Sequence, residues 1–354
     1  MHTQAIQTGW PAISWGWIRN PRFDLAFVLG VATVALASGA AIVAEPALFP
    51  VILVLDLWLL GYHHVVSTYT RLAFDFESFR ANRFLVVGLP GLVLAASVAL
   101  AWSFGAWTLA TIYLYWQWFH YTRQSYGIAQ IYRRKSGDAA SSADAWLHKS
   151  VIYLVPLWGI LNRSAQAPEK FLGFDIVVVP VPDSLVALAA VAAFGATAGW
   201  LWRQLAAWRE GRFFGAYALY MISHIAIFVT GYVLIDDINY GWLVINIWHN
   251  AQYILLVWMF NNNRFRAGPH PEHRFLSWLS QSRNALAYFS VCFLISTSIY
   301  AAIQGGLSIF GVTALSAVLV IYQTINFHHY IVDALIWKVR KPKIQANFGL
   351  ARAP

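Results

Sequence analysis

Two adjacent histidine pairs, His63-His64 and His328-His329, and two single histidines, His120 and His249, stand inside stretches otherwise made of aliphatic and aromatic residues. Imidazole is both the commonest metal ligand and a hydrogen-bonding group, so the company these residues keep decides their chemistry. Of the eleven histidines, His2, His148, His270 and His273 fall in the N-terminal segment or near loops and are set aside. His224 is a seventh within an apolar run, and it reads equally well as an interhelical hydrogen-bonding residue. Adjacent residues on a helix point about 100° apart, so within each pair one ring can ligate while the other packs. Asp333 stands one turn past His329, where a carboxylate either ligates the same ion or orients the imidazole through its other nitrogen. Further polar residues recur at helical spacing: Asn326, His329 and Asp333; Gln117, His120 and Gln124; Asn246, His249 (or Asn250) and Tyr253; Asp56, His63 and Ser67. Such a stripe on an apolar helix turns inward, because lipid penalises it.

Imidazole suits zinc, copper, iron and nickel, and a carboxylate beside several imidazoles favours non-haem iron among the redox metals. The candidate ligands are His63, His64, His120, His249, His328, His329, His224 and Asp333. They exceed the need of one ion, so two ions, or one ion with an outer shell, are both open. Copper(I) handling by soft ligands is disfavoured by one cysteine and three methionines, and the lone Cys292 permits no intrachain disulfide. Asp333 and Tyr330 are the candidate catalytic side chains, although Tyr330, like Tyr121, Tyr126 and Tyr253, also suits packing or the membrane interface. Asp56 fits a structural acid paired across helices. Arg123 fits a headgroup anchor, or a partner for an anionic substrate group or a carboxylate.

The elements that must carry these residues are membrane spans. Hydrophobic residues make up 59% of the 354 and charged residues 11%, with a mean hydropathy of +0.55, whereas a soluble domain carries roughly 25% charge. A span needs about 20 mostly apolar residues, and ten segments qualify: 24–45, 48–70, 84–104, 106–131, 147–163, 184–208, 213–235, 239–260, 284–304 and 308–338. Basic residues fall before the first (Arg19, Arg22) and after the second (Arg71, Arg80, Arg83). They recur after the fourth (Arg133, Arg134, Lys135), sixth (Arg209, Arg212), eighth (Arg264, Arg266, Arg274) and tenth (Lys338, Arg340, Lys341, Lys343). The opposite loops are short or acidic, except for 164–183, where Arg163 and Lys170 face Glu169 and Asp175. The positive-inside rule then gives ten spans with both termini cytoplasmic. The expected architecture is an all-α, polytopic transmembrane bundle forming one domain over 1–354. It has an interfacial N-terminal segment (1–23, with Trp10, Trp15 and Trp17) and a basic cytoplasmic tail (339–354). No cleavable leader is visible, so the chain is expected to persist whole. The net charge of +9 would suggest nucleic acid in a soluble protein. Here it follows from loop charge, and no nucleic-acid partner is expected.

On this topology six of the seven intramembrane histidines lie on even-numbered spans, which run in one direction. His63 lies about 12 Å before Arg71, His328 about 15 Å before Lys338, His249 about 22 Å before Arg264 and His120 roughly 20 Å before Arg133, with His224 about 18 Å from Arg212. They form one layer in the cytoplasmic half. An aromatic residue or Trp stands beside each (Tyr62-His63-His64, Phe119-His120-Tyr121, Trp248-His249-Asn250, Phe327-His328-His329-Tyr330), an echo too short to mark a duplication.

In architecture and ligand type the chain resembles the membrane-bound histidine-rich non-haem iron oxygenases: fatty-acid desaturases and hydroxylases, alkane hydroxylases and bacterial carotenoid-cleaving dioxygenases. The matching residues are His63-His64, His120, His249 and His328-His329. The boxes of desaturases, with two or three residues between a histidine and a following pair, are missing from this sequence. The resemblance implies iron, one or two ions, held on the cytoplasmic side and activating dioxygen against a lipophilic small molecule in a bacterial inner membrane. No nucleotide-binding glycine motif or iron–sulfur cysteine set is present, so an electron-donor protein docking at the cytoplasmic face is the implied partner, beside membrane lipid. Two other readings stay open. A b-type cytochrome would hold haem b between paired imidazoles, leaving a spare ring in each doublet. A transporter for metal, protons or a small solute would also bury ionisable residues, and Gly88-Leu89-Pro90-Gly91 is a possible break in its third span.

Overall fold

The computed structural model describes residues 13–136, 142–309, 311 and 315–350. His2 and Trp10 lie outside the described residues, as do positions 351–354 of the basic tail. Among the described residues ten long helices overlap the ten expected segments, the last beginning at Leu315 rather than 308: α1 Pro21–Ala44, α2 Pro46–Leu72, α3 Phe84–Phe104, α4 Trp107–Lys135, α5 Ser142–Ala165, α6 Asp183–Arg209, α7 Gly215–Leu234, α8 Ile238–Arg264, α9 Ser282–Ile309 and α10 Leu315–Ile336. Seven of them (α1, α2, α3, α6, α7, α8 and α9) are long and apolar enough to cross a membrane. Helices α4, α5 and α10 are of comparable length but more polar. Two of these three carry the glutamine, histidine and aspartate stripes, so the shortfall in apolarity follows from the site they build.

Local chemistry sets where the helices start and stop. Asn20 caps α1 by accepting from the Phe23 amide at 2.9 Å, with Pro21 at the first helical position. Asp237 caps α8 by accepting from the amides of Asn239 (2.7 Å) and Tyr240 (3.0 Å). The loop acid expected at that place is therefore a helix cap. Arg163 is likewise no loop charge. Buried at the end of α5, it donates to the backbone carbonyls of Gly231, Ile235 and Asp236, satisfying the last turn of α7. Asp24 is buried and collects the amides of Ile18, Arg19 and Asn20 and the hydroxyl of Tyr132, which fastens the N-terminal segment to α4.

Helix α8 is the hub. Nearly all its side chains are buried, and it packs on α1, α2, α4 and α7. Its closest approach is to α7, where a Cβ added at Gly231 would lie 2.6 Å from the Gly241 carbonyl oxygen, so only glycine fits. Four even-numbered helices close a ring through the contacts α2–α8, α8–α4, α4–α10 and α10–α2. Beyond α10 the chain turns back as a short helix, Pro342–Asn347, and Phe348 packs on Phe260 and Trp337. The start of the expected basic tail thus docks against the bundle.

Candidate metal centre

Within that ring His64 of α2, His120 of α4, and His329 and Asp333 of α10 each direct one ligand atom to a common point. These atoms all lie within 4.8 Å of one another, and all four side chains are buried. His64 Nε2 faces His329 Nε2 at 2.5 Å. Asp333 Oδ2 lies 3.5 Å from His329 Nε2 and 4.0 Å from His120 Nε2. Ligand atoms about 2.1 Å from one ion stand roughly 3.0–4.2 Å apart, which brackets both carboxylate separations. The His64–His329 pair would open slightly around an ion. His120 Nε2 is buried without a hydrogen-bond partner, a costly arrangement unless something fills the centre. Three imidazoles and one carboxylate are a donor set that could hold a metal ion.

Donor counting assigns the protons behind the ligands. The Tyr253 hydroxyl donates its single hydrogen to Asp333 Oδ1 at 2.6 Å. It can then only accept from Thr68 Oγ1 at 2.8 Å and from the Trp337 indole N–H at 3.0 Å. Thr68 has thereby spent its own hydrogen, so at His329 Nδ1, 3.2 Å away, it is the acceptor. His329 must carry its proton on Nδ1, which leaves Nε2 with a lone pair facing the centre. Tyr253, Thr68 and Trp337 are thus the outer support that fixes tautomer and ring orientation at a metal site.

One irregular turn decides which histidine of the first pair faces inward. Residues Leu57–Gly61 form a π-helical turn inside α2. Such a turn adds one residue to the helix, so the face holding Asp56 continues at i+8, His64, rather than at i+7, His63. The expected stripe of Asp56, His63 and Ser67 is corrected to Asp56, His64 and Thr68. Asp56 accepts from Asn246 Nδ2 at 2.5 Å, and Asn246 in turn accepts from the Tyr121 hydroxyl, all on the inner side of the ring.

The remaining candidates are placed as follows. The His249 ring lies tilted 4.8 Å from His64 and against Tyr121, and edge-on 5.0 Å from His120, with Nδ1 buried and unpartnered. It borders the four-residue set without joining it. His63 is directed to the Phe289 ring, 6.0 Å away. His328 engages the Leu85 carbonyl at 2.7 Å, and His224 pairs with Ser125 at 2.8 Å, so these three lie apart from the centre. Tyr330 stacks on His120 at 4.3 Å. His148, read from sequence as a residue near a loop, is buried and bonded to the Tyr217 hydroxyl at 2.9 Å.

A cavity of about 520 Å³ opens beside the centre between α4, α8 and α10, with His120, Asp333, Tyr253 and Tyr330 in its wall. Its volume is that of a small-molecule site.

A second group of ligand types, Asp75, Glu77 and His273, lies outside the spans between α2 and α3 and after α8. Asp75 caps the short helix Phe76–Ala81 and pairs with Arg264 at 3.1 Å. Burial pushes its carboxyl up, but the Ser78 amide and hydroxyl and the Arg264 guanidinium outweigh this and hold it below the ordinary carboxylate value. Its oxygens are committed to structure.

No family model, curated protein or solved structure matches this chain.

Proposed function

We propose that this chain is a membrane-embedded, metal-dependent oxidoreductase, with one non-haem iron held by His64, His120, His329 and Asp333, acting on a lipophilic substrate. The observation that carries the reading is the convergence of three buried imidazoles and a carboxylate within 4.8 Å, next to a cavity of ligand size. Bound there, iron supplies activation of dioxygen toward a C–H bond, as a histidine–carboxylate donor set with open positions does elsewhere. The protein's share is to exclude water by burying the centre, to hold His329 in one tautomer through Thr68, and to orient Asp333 through Tyr253.

The basic loops support ten spans with both termini in the cytoplasm, and we place the chain in a bacterial inner membrane only by its resemblance in type to the histidine-rich oxygenases. The same basic face suits an electron-donor protein, since the chain carries no reductase motif of its own.

Haem is disfavoured by the geometry. A porphyrin fills the equatorial positions between two axial imidazoles, whereas here the ligand atoms of His120 and Asp333 converge on the same point as those of His64 and His329, all within 4.8 Å. Transport of a metal ion is the second reading, favoured by the buried polar chain of Asp56, Asn246 and Tyr121 that continues from His249 away from the cavity.

The deciding experiment is metal analysis with a visible spectrum on protein purified in detergent. About one iron per chain without a Soret band is the expected result. A Soret band would replace this reading with the cytochrome, and metal that exchanges within seconds would favour transport.

A further inference from the structure

The cavity beside the centre changes character along its length. Its wall includes His120, Asp333 and Tyr330, with Trp116 and Phe119 preceding His120 along α4 and Leu256 contributed by α8. Its rim carries four cations, Arg123, Arg134, Lys338 and Arg340. Asp333, at the inner end, is the one acid in the lining. Among the described residues no carboxylate lies in ion-pair distance of any of the four. Arg123 is steadied by a neutral hydroxyl, Tyr153 at 2.7 Å, and Arg134 by the neutral carbonyl of Val339 at 3.3 Å. Their charge is therefore held in place and, among the described residues, left without a carboxylate partner. Along α4, Arg123 lies about 4.5 Å and Arg134 about 21 Å past His120, so a positive track runs outward from the metal ligands.

Loop arginines at a membrane surface are an ordinary product of topology. These four differ in that they share a cavity with two candidate metal ligands, beyond which the same cavity is lined by the apolar side chains of Trp116 and Phe119. A ligand matching that sequence has a long apolar body and one anionic end. We infer that the substrate of this site is a single-chain anionic amphiphile, a carboxylate- or phosphate-headed lipid, bound with its head on the arginine and lysine rim and its chain running past His120 to Phe119 and Trp116. This rests on the cavity being the substrate site proposed above, and it selects among the lipophilic substrates that reading allows. A hydrocarbon or a carotenoid would leave the rim without a partner, and arginine pairs strongly with carboxylate or phosphate oxygens.

Quenching of tryptophan fluorescence by brominated lipids reads the site directly, because Trp116 and Trp337 line it. The purified full chain in nanodiscs of neutral lipid is titrated with a dibromo fatty acid, its methyl ester, a dibromo alkyl phosphate and inorganic phosphate as competitor. Subtracting the signal of Trp116→Phe isolates the cavity. Saturable quenching by the acid or the alkyl phosphate is expected, at least about tenfold tighter than by the ester, and falling about tenfold in Arg123→Gln or the double variant Arg134→Gln/Arg340→Gln. The acid and phosphate arms identify the head, and phosphate alone should compete only at high concentration. Equal binding of ester and acid, or full acid affinity in both variants, would overturn the anionic head while leaving a lipophilic substrate in place. Metal content of the same samples is measured in parallel. Loss of the metal reading with retained, charge-dependent acid binding would separate failure of the enzyme proposal from failure of this one.

Discussion

Tyr253→Phe removes one oxygen and disconnects three groups. Asp333 Oδ1 loses a donor at 2.6 Å, the Trp337 indole N–H loses its acceptor at 3.0 Å, and the Thr68 hydroxyl is freed from its 2.8 Å bond. With Thr68 no longer committed as a donor to Tyr253, its hydroxyl can turn to His329 Nδ1. That favours the tautomer whose proton sits on Nε2, where a metal cannot bind. Loss of such outer support costs about 10–100-fold in metal affinity, which is about 1.4–2.7 kcal/mol. The half-buried indole N–H left without an acceptor adds a smaller loss of fold stability, about 1 kcal/mol at most. A second buried tyrosine–aspartate bond supplies the comparison. Tyr132 donates to Asp24 at 2.9 Å, in a pair with no candidate ligand among its partners. Tyr132→Phe should destabilise the fold by a similar amount and leave metal binding alone. Chelator-competition titration gives the affinity of each variant, and thermal unfolding in detergent gives its stability. Parental affinity in Tyr253→Phe, or an equal loss in Tyr132→Phe, would refute the assignment of Tyr253 as support for a metal ligand.

The histidine pairs should separate in the same titration. His64→Ala and His329→Ala abolish stoichiometric metal, whereas His63→Phe and His328→Gln keep it, and any other partition sinks the proposed ligand set. Thr68→Val, which cannot accept from His329 Nδ1–H, should weaken metal binding by about tenfold with a small change in thermal midpoint; Thr68→Ser should restore it. Gly231→Ala should lower the thermal midpoint strongly, because its Cβ would meet the Gly241 carbonyl, whereas Gly127→Ala, with open space around it, should be neutral or stabilising. At Asp75 the folded carboxyl sits below its unfolded value. Its contribution is therefore complete above the unfolded pKa of about 3.9 and lost as pH falls through the lower folded value. Amide exchange in Phe76–Ala81 should speed up below about pH 4 in the parent and show no such step in Asp75→Asn.

The sequence revealed the helices and most of the site for distinct reasons. Ten apolar stretches separated by charged loops dictate ten long helices, since backbone groups in lipid have no other partner. The spacing of His329 and Asp333 holds because α10 is regular between them, and His120 was marked by its polar stripe. Which member of each histidine pair faces inward was not legible. It depends on how each helix is rotated about its axis, and in α2 on a π turn that shifts the periodicity by one residue. The choice of Ser67 over Thr68 failed for the same reason: Ser67 turns back to the His64 carbonyl at 2.8 Å, and Thr68 takes the inner face. Tyr253 stood in a recognised stripe with His249, but its role needed the third dimension. Its three partners come from α2, α10 and the segment just past α10. Trp337 gave no signal beyond an aromatic at a span end, which usually marks the interface.

The four-helix ring also imposes an order of construction. His64 and His329 are 265 residues apart, and synthesis at about 5–20 residues per second separates their appearance by roughly 13–53 s. During that interval α2, α4 and α8 present His64, His120 and His249 to a gap that only the last long helix fills. Two of the four converging groups, His329 and Asp333, arrive together on that helix, and Asp333 is also the carboxylate to which Tyr253 donates. A ribosome-bound chain halted anywhere before α10 therefore has half a centre and an unmated polar seam. Completion of the site coincides with completion of the last long helix, so under the proposed reading metal binding would report a fully assembled chain.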